Sequence, residues 1–226
     1  MNKNIKLYHF STVPNLKELS PAEISGRQAY VYATDYIPLG LLFSIKGFRD
    51  LDGETSGRGP GKTYTPYFME AHAHGLDKFK GASCYMYEVD PTSFEEGRTS
   101  WSEDIVSEKP VKTLSCTKIN DVYKELLKYE KEGKIKIYRY RDSQKNLEMK
   151  KRVHDYAKKI LSHYESVLFQ KEFDCKDSKK SKFYKELQKF IFENFPEIVK
   201  EIYAEVVRKY EYISKFKPEI LKEILA

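Results

Sequence analysis

Cysteine is scarce in this chain. Its three residues, Cys84, Cys116 and Cys175, are odd in number and far apart, which argues against a disulfide framework and against the close thiol spacing of a zinc site. Tryptophan occurs once, at Trp101. No apolar run approaches the roughly 20 residues needed to cross a bilayer. Nor does an apolar segment follow Met1 to Lys6, so no secretory signal is expected there. A repeat of about 20–50 residues is also missing, which argues against a solenoid. What is abundant is aromatic: 18 Tyr and 13 Phe within a hydrophobic content of 40%, enough to fill a core and to make wholesale disorder a poor account. A reduced, cytoplasmic protein with no membrane contact is the expectation.

Charge is unevenly shared. The first 140 residues hold 20 Lys and Arg against 19 Asp and Glu, and residues 141–226 hold 20 against 15. The basic excess gathers in Lys150-Lys151-Arg152, Lys158-Lys159 and Lys176 to Lys185. Such a face attracts nucleic acid or an acidic partner, and it is equally an ordinary solvated helix surface.

The first 140 residues read as mixed α and β. Apolar, aromatic and β-branched stretches ending in small polar residues predict strands at Ile5–Phe10, Gln28–Ala33, Cys84–Val89, Val111–Leu114 and Ile135–Tyr140. Leu39–Ile45, behind Pro38, predicts a helix with proline in its first turn. Asn120–Lys131 predicts a second, closed by Glu132-Gly133. From Asn146 the period becomes helical. Val153, Ala157, Ile160, Leu161, Tyr164, Val167 and Leu168 form one apolar stripe, and Phe183, Leu187, Phe190, Ile191 and Phe195 a second. Pro196 opens a third, through Ile198, Ile202, Tyr203, Val206, Val207 and Tyr210, and Pro218 a short last one. Asp174 to Ser181 reads as a charged linker. These stripes have the spacing of packed core, in a small bundle or a helical appendage.

Two patterns mimic known sites. Gly61-Lys62-Thr63 ends like a phosphate-binding loop, but the template wants glycine where Ser56 stands, and no strand leads into it. The segment Arg49–Tyr67 is therefore expected to be a surface loop or a lid. Glu70, His72 and His74 alternate, so on a strand they would face one way. No fourth ligand is identifiable, and His74-Gly75 is a turn signal, so no metal site is expected.

Four blocks in order form a stronger constellation. They are Tyr8-His9-Phe10-Ser11; Val31-Tyr32-Ala33-Thr34-Asp35, continuing through Pro38 to Phe43; the strand Cys84–Val89 with Asp90-Pro91 and the pair Glu95-Glu96; and Ile105 to Lys112, containing Ser107-Glu108-Lys109-Pro110. A histidine ending one strand and a tyrosine ending the next would line one cleft. This order resembles the diphtheria-toxin and poly(ADP-ribose) polymerase class of ADP-ribosyltransferases, which use a His-Tyr-acid trio on a split β-sheet. It is most similar to the compact rifampin ADP-ribosyltransferases, with their Tyr/Leu-His-Gly-Thr start, Val-Tyr-x-Thr second strand, Val-Glu-Pro strand end and closing Ser-Arg-Glu-Pro stretch. The resemblance covers residues 5 to about 120.

That resemblance implies an α+β fold. Residues 1–143 would be a split-sheet, NAD-binding ADP-ribosyltransferase-like domain, and 144–226 an all-helical C-terminal domain. It implies a glycosyltransferase that consumes NAD, releases nicotinamide and passes ADP-ribose to an acceptor, whether protein, nucleic acid or small molecule; hydrolysis of NAD is the close variant. Residue by residue, His9 would bond the nicotinamide-side ribose and Tyr32 would stack on the nicotinamide ring, with Phe43 closing the other face. Ser11 would hold the carboxamide, and Phe10 and Thr34 would line the same pocket. The acid would stabilise the cation that develops as nicotinamide leaves. It is Glu108, at the start of the last strand, or Glu95 or Glu96 just after the third. The family glycine that follows the histidine is Phe10 here, so its ring must point away into the core. The competing reading is a catalytically inactive member of the fold that binds nucleic acid or protein through its basic helices.

Overall fold

The computed structural model describes residues 5–22, 28–47, 49–168 and 178–209. They form an α+β structure in two compact units. The first holds Met1–Arg49, Thr55–Phe68 and Leu76–Tyr138; the second holds Asp50–Glu54, Met69–Gly75 and Arg139–Ala226. Asp50–Glu54, Met69–Gly75 and residues 139–143 thus belong to the helical unit. Among the described residues no helix is long and apolar enough to cross a membrane.

In the first unit, β1 (Leu7–Ser11) and β2 (Glu18–Leu19) precede β3 (Val31–Ala33) and the short helix α1 (Ile37–Leu42). β4 (Gly53–Thr55) and β5 (Tyr67–Glu70), each divided between the two units, come next in the chain, and the first unit continues with β6 (Cys84–Val89), β7 (Glu95–Glu96), β8 (Ile105–Ser107) and β9 (Val111–Ile119). Helix α2 (Val122–Lys131) and β10 (Lys136–Tyr138) complete it. Three sheets result, ordered β1-β6-β9-β2, β3-β8-β7 and β10-β5-β4. The pairings of the first two are antiparallel, and among the described residues a backbone bridge from Tyr8 to Thr34 joins them.

Strand alternation explains where the cores lie. Leu7, Val31, Ala33, Tyr87, Val89 and Ile105 share one cluster. Phe10 leaves β1 on the opposite face and packs against a second, made by Leu39 and Leu41 of α1, Phe68, Phe79, Val122 and Leu126. Helix α1 has Pro38 in its first turn, as the sequence implies, but begins at Ile37 and stops at a Phe43 cap. Helix α2 is capped by the Asp121 carboxylate, which accepts the Lys124 N–H at 3.1 Å.

The second unit is built on α3 (Tyr140–Ser143), α4 (Leu147–Ser162), α5 (Glu165–Leu168), α6 (Ser178–Asn194) and α7 (Pro196–Lys209). The expected stripes are its core: Val153, Ala157 and Leu161 of α4, Leu187 and Ile191 of α6, and Val199, Ile202 and Val206 of α7 are all buried. Tyr210 and the helix expected after Pro218 lie outside the described residues, as does most of the expected linker; Ser178–Ser181 are already helical. Pro196 starts α7 directly after the Asn194-Phe195 break, as its fixed φ favours at a first turn.

Candidate active site

The central feature is how β1 and β3 part company. Tyr8 and Thr34 exchange two backbone hydrogen bonds of 2.8 and 2.9 Å. In a regular ladder the next mutual pair would be Phe10 with Tyr32, yet no backbone bond joins them. The His9 imidazole has taken the place instead: its Nδ1–H donates to the Tyr32 carbonyl at 2.8 Å. By the same alternation the Phe10 N–H and C=O face the gap where β3 has diverged.

That bond sets the tautomer. With Nδ1 carrying the proton, neutral His9 offers Nε2 as an acceptor. Burial pushes the imidazole below its ordinary value of 6.5, and the Tyr32 carbonyl only partly opposes the shift. The folded protein therefore binds this proton less readily than the unfolded chain. Stability contributed by His9 is complete above 6.5 and is lost as pH falls from there toward the depressed folded value. A urea midpoint measured from pH 7.5 to pH 5 should fall more steeply for the native chain than for His9→Gln. Parallel curves would count against it.

The register sorts the remaining candidates. Tyr32 lies across from Val106 and alternates with Val31 and Ala33, so its ring leaves β3 on the face away from their core. Val106 shares that face, as does Glu95 of β7, which lies across from Val106. Tyr30 is there too, its ring edge-on to Tyr32 with centroids 6.0 Å apart. Glu108 lies just past β8, not at the start of the following strand as the sequence suggests. The Ser107 hydroxyl accepts the Lys109 N–H at 3.1 Å, which makes Glu108 the middle of a tight turn. The Glu108 carboxylate accepts from Gln28 at 2.9 Å and from Arg98 at 2.5 Å. A common face is thus found for Tyr32 and Glu95, and the Glu108 carboxylate stands beside it in the turn, sharing Arg98 with Glu95. His9 leaves β1 on the Leu7 side and joins them through the Tyr32 carbonyl at the split.

The other expected contacts are placed differently. The Ser11 hydroxyl accepts the Val13 N–H at 3.1 Å, and the Thr34 hydroxyl accepts the Tyr36 N–H at 3.0 Å, so both hold turns. Phe43, 47% exposed, stands edge-on to Trp101 with centroids 5.3 Å apart, not over Tyr32. Glu95 approaches Arg98 at 3.6 Å, and Glu96 is bound by Lys62 at 2.7 Å. The Phe10 ring lies over Gly40 of α1.

Sequence reasoning missed the best-ordered charge cluster. Arg58, in the glycine-rich segment, is 8% exposed. Its Nε donates to Glu103 at 2.9 Å, its backbone N–H to the same carboxylate at 2.6 Å, and its Nη2 to Asp35 at 2.5 Å. The guanidinium also lies 4.6 Å from the centre of the Tyr36 ring. Lys62 adds a bond to Asp35 at 3.0 Å. Burial by itself would raise the Asp35 carboxyl, but the bonds from Lys62 and Arg58 hold it below the ordinary range. Lys62 thus serves the protein's own carboxylates, and Arg58 latches a segment expected to be loose. Gly57 permits the approach, since a Cβ there would lie 2.5 Å from Glu103 Cγ. A basic residue inside a polar, glycine-rich stretch was the only available signal.

Glu70, His72 and His74 do not share a strand face, because β5 ends at Glu70. That carboxylate accepts the Tyr140 N–H at 2.9 Å, and His72 Nδ1 accepts the His74 N–H at 3.2 Å. Among the described residues no three His, Cys, Asp or Glu side chains group as a metal site. The chain matches no protein-family model, no curated protein and no solved structure.

Proposed function

We propose that the chain binds NAD at the split between β1 and β3 and transfers its ADP-ribose to an acceptor, releasing nicotinamide. One observation carries this reading: the Phe10 amide is left without its ladder partner because His9 occupies the Tyr32 carbonyl. A primary carboxamide presents one donor and one acceptor side by side, as a peptide group does. It can therefore complete the missing rung, its oxygen accepting from the Phe10 N–H and its NH2 donating to the Phe10 C=O. The attached ring then lies by Tyr32, whose π face suits a flat cation. His9 Nε2 accepts from a ribose hydroxyl.

The chemistry follows from the charge that develops. The bond from the ribose anomeric carbon to the ring nitrogen breaks, and nicotinamide leaves with the electron pair, which neutralises its ring. The sugar becomes cation-like, and Glu108, in the turn that ends the strand beside Tyr32, supplies the compensating negative charge. A lone pair of the acceptor then bonds to the anomeric carbon, and its proton passes to Glu108. The Arg98 bond to Glu108 does not forbid this. Both side chains are nearly half exposed, at 47% and 46%, and solvent screens such a pair.

The acceptor's class is not fixed by the fold. The inactive-module alternative draws less support, because the basic helices pair their own charges. Lys158 bonds Glu205 at 2.6 Å, Lys200 bonds Glu197 at 3.2 Å, and Lys182 and Lys189 each approach a glutamate four residues on. Nicotinamide release from NAD, compared between the native chain and a His9→Ala Glu108→Ala double variant, tests the reading. Release by the native chain well above the double variant is expected. Equal background in both, with binding to nucleic acid that weakens steeply with salt, would replace the enzyme by the module.

A further inference from the structure

We propose that Gly40 of α1 decides whether the split is open to a ligand, by giving the Phe10 ring somewhere else to go. The inference rests on the NAD reading and adds to it the residue that controls access. An ideal Cβ built on Gly40 would lie 2.1, 2.5 and 2.9 Å from three carbons of the Phe10 ring. The ring is therefore seated in the notch that the missing side chain leaves. Leu39, Leu41 and Leu42 beside it are buried and cannot withdraw without opening the core.

Where a displaced ring would go is set by the strands. The bridge register puts Phe10 across the gap from Tyr32, on one face, so a ring pushed out of the notch on that side enters the space left for the nicotinamide ring. On the other side is an open groove of about 460 Å³ lined by Ile37, Leu41 and Met86 among others. Phe10 lies across from Met86 in β6. The two destinations have opposite consequences for NAD.

Alanine in place of glycine ordinarily favours a helix, so any loss from Gly40→Ala reports the collision and not the helix. We expect Gly40→Ala to keep its far-UV circular dichroism, to lower kcat/KM for nicotinamide release by roughly 10²-fold, and to lower Tm. Removing the ring as well, in Gly40→Ala Phe10→Ala, should recover most of the lost kcat/KM. Native-like release from Gly40→Ala would show the ring moved into the groove, and overturns the proposal. So does a double variant as poor as Gly40→Ala, since the ring would then not be the obstacle. The native arm separates the two claims. No release by the native chain removes the NAD reading and this proposal with it, whereas release by the native chain and by Gly40→Ala alike removes this proposal alone.

Discussion

Arg58→Ala is expected to destabilise the first unit by about 3–5 kcal/mol, the cost of stranding a buried partner charge. The Glu103 side chain is 1% exposed and takes two bonds from Arg58, one from the guanidinium and one from the backbone. Without the guanidinium, that carboxylate stays in a water-poor site with one neutral donor. Asp35 suffers less, because Lys62 still binds it. A second substitution discriminates between a charge effect and lost packing. Replacing a buried pair by apolar groups of similar size is often nearly neutral, so Arg58→Met Glu103→Leu should recover most of the loss seen in Arg58→Ala. Urea denaturation measures both. The chain's one tryptophan lies two residues from Glu103 and against Phe43, so Trp101 emission should shift to the red in Arg58→Ala before global unfolding. Equal stability of the single variant and the native chain would show that the cluster contributes nothing.

This cluster also marks what could and could not be read beforehand. Periodicity located β1, β3, β6, α2 and the buried stripes of α4, α6 and α7, since those elements bury one face and so carry its period in their residues. Strand β9 runs to Ile119, five residues beyond its apolar start. Its exposed Ser115, Cys116, Thr117 and Lys118 lack strand patterning, and what holds them is backbone pairing with β6. Pairing between distant segments leaves no local trace. For the same reason the parting of β1 from β3 was invisible, although it follows from one imidazole replacing one ladder bond. Arg58, Asp35 and Glu103 are 23 and 45 residues apart along the chain, and each looks like a surface charge until the fold brings them together.

The candidate site was legible to the same degree. His9, Tyr32 and Glu108 were picked as residue types in order; β1 stands beside β3 at the bridge and β3 beside β8, which ends one residue before Glu108. The turn bonds of the Ser11 and Thr34 hydroxyls were not foreseen, although short polar side chains at strand ends often bond the next turn of backbone. Phe43 was placed by its distance after Tyr32. Its actual partner, Trp101, comes from a hairpin loop that sequence order does not bring near it.

Among the three acidic candidates, Glu108→Gln is expected to lower kcat/KM for nicotinamide release by roughly 10²–10³-fold, the usual scale for removing a group that stabilises transition-state charge. The amide is isosteric and keeps a bond with Gln28 or Arg98, so Tm should change little. Glu95→Gln and Glu96→Gln should each stay within roughly threefold, a difference of less than 1 kcal/mol. The reason is positional. Glu96 is committed to Lys62 and lies across from Ile105, while Glu95 belongs to the outer strand of the small sheet, with β8 between it and Tyr32. Glu95 shares the face of the Tyr32 ring but stands two strands away, whereas Glu108 lies in the turn that ends β8, the strand next to Tyr32. A loss in Glu95→Gln matching that expected of Glu108→Gln would move the acid to β7. Full activity in all three would remove carboxylate stabilisation from the mechanism altogether. Arg98→Ala gives the complementary check: freeing Glu108 of its cation should leave kcat the same or higher, because a carboxylate with one fewer positive neighbour is better able to answer the charge on the sugar.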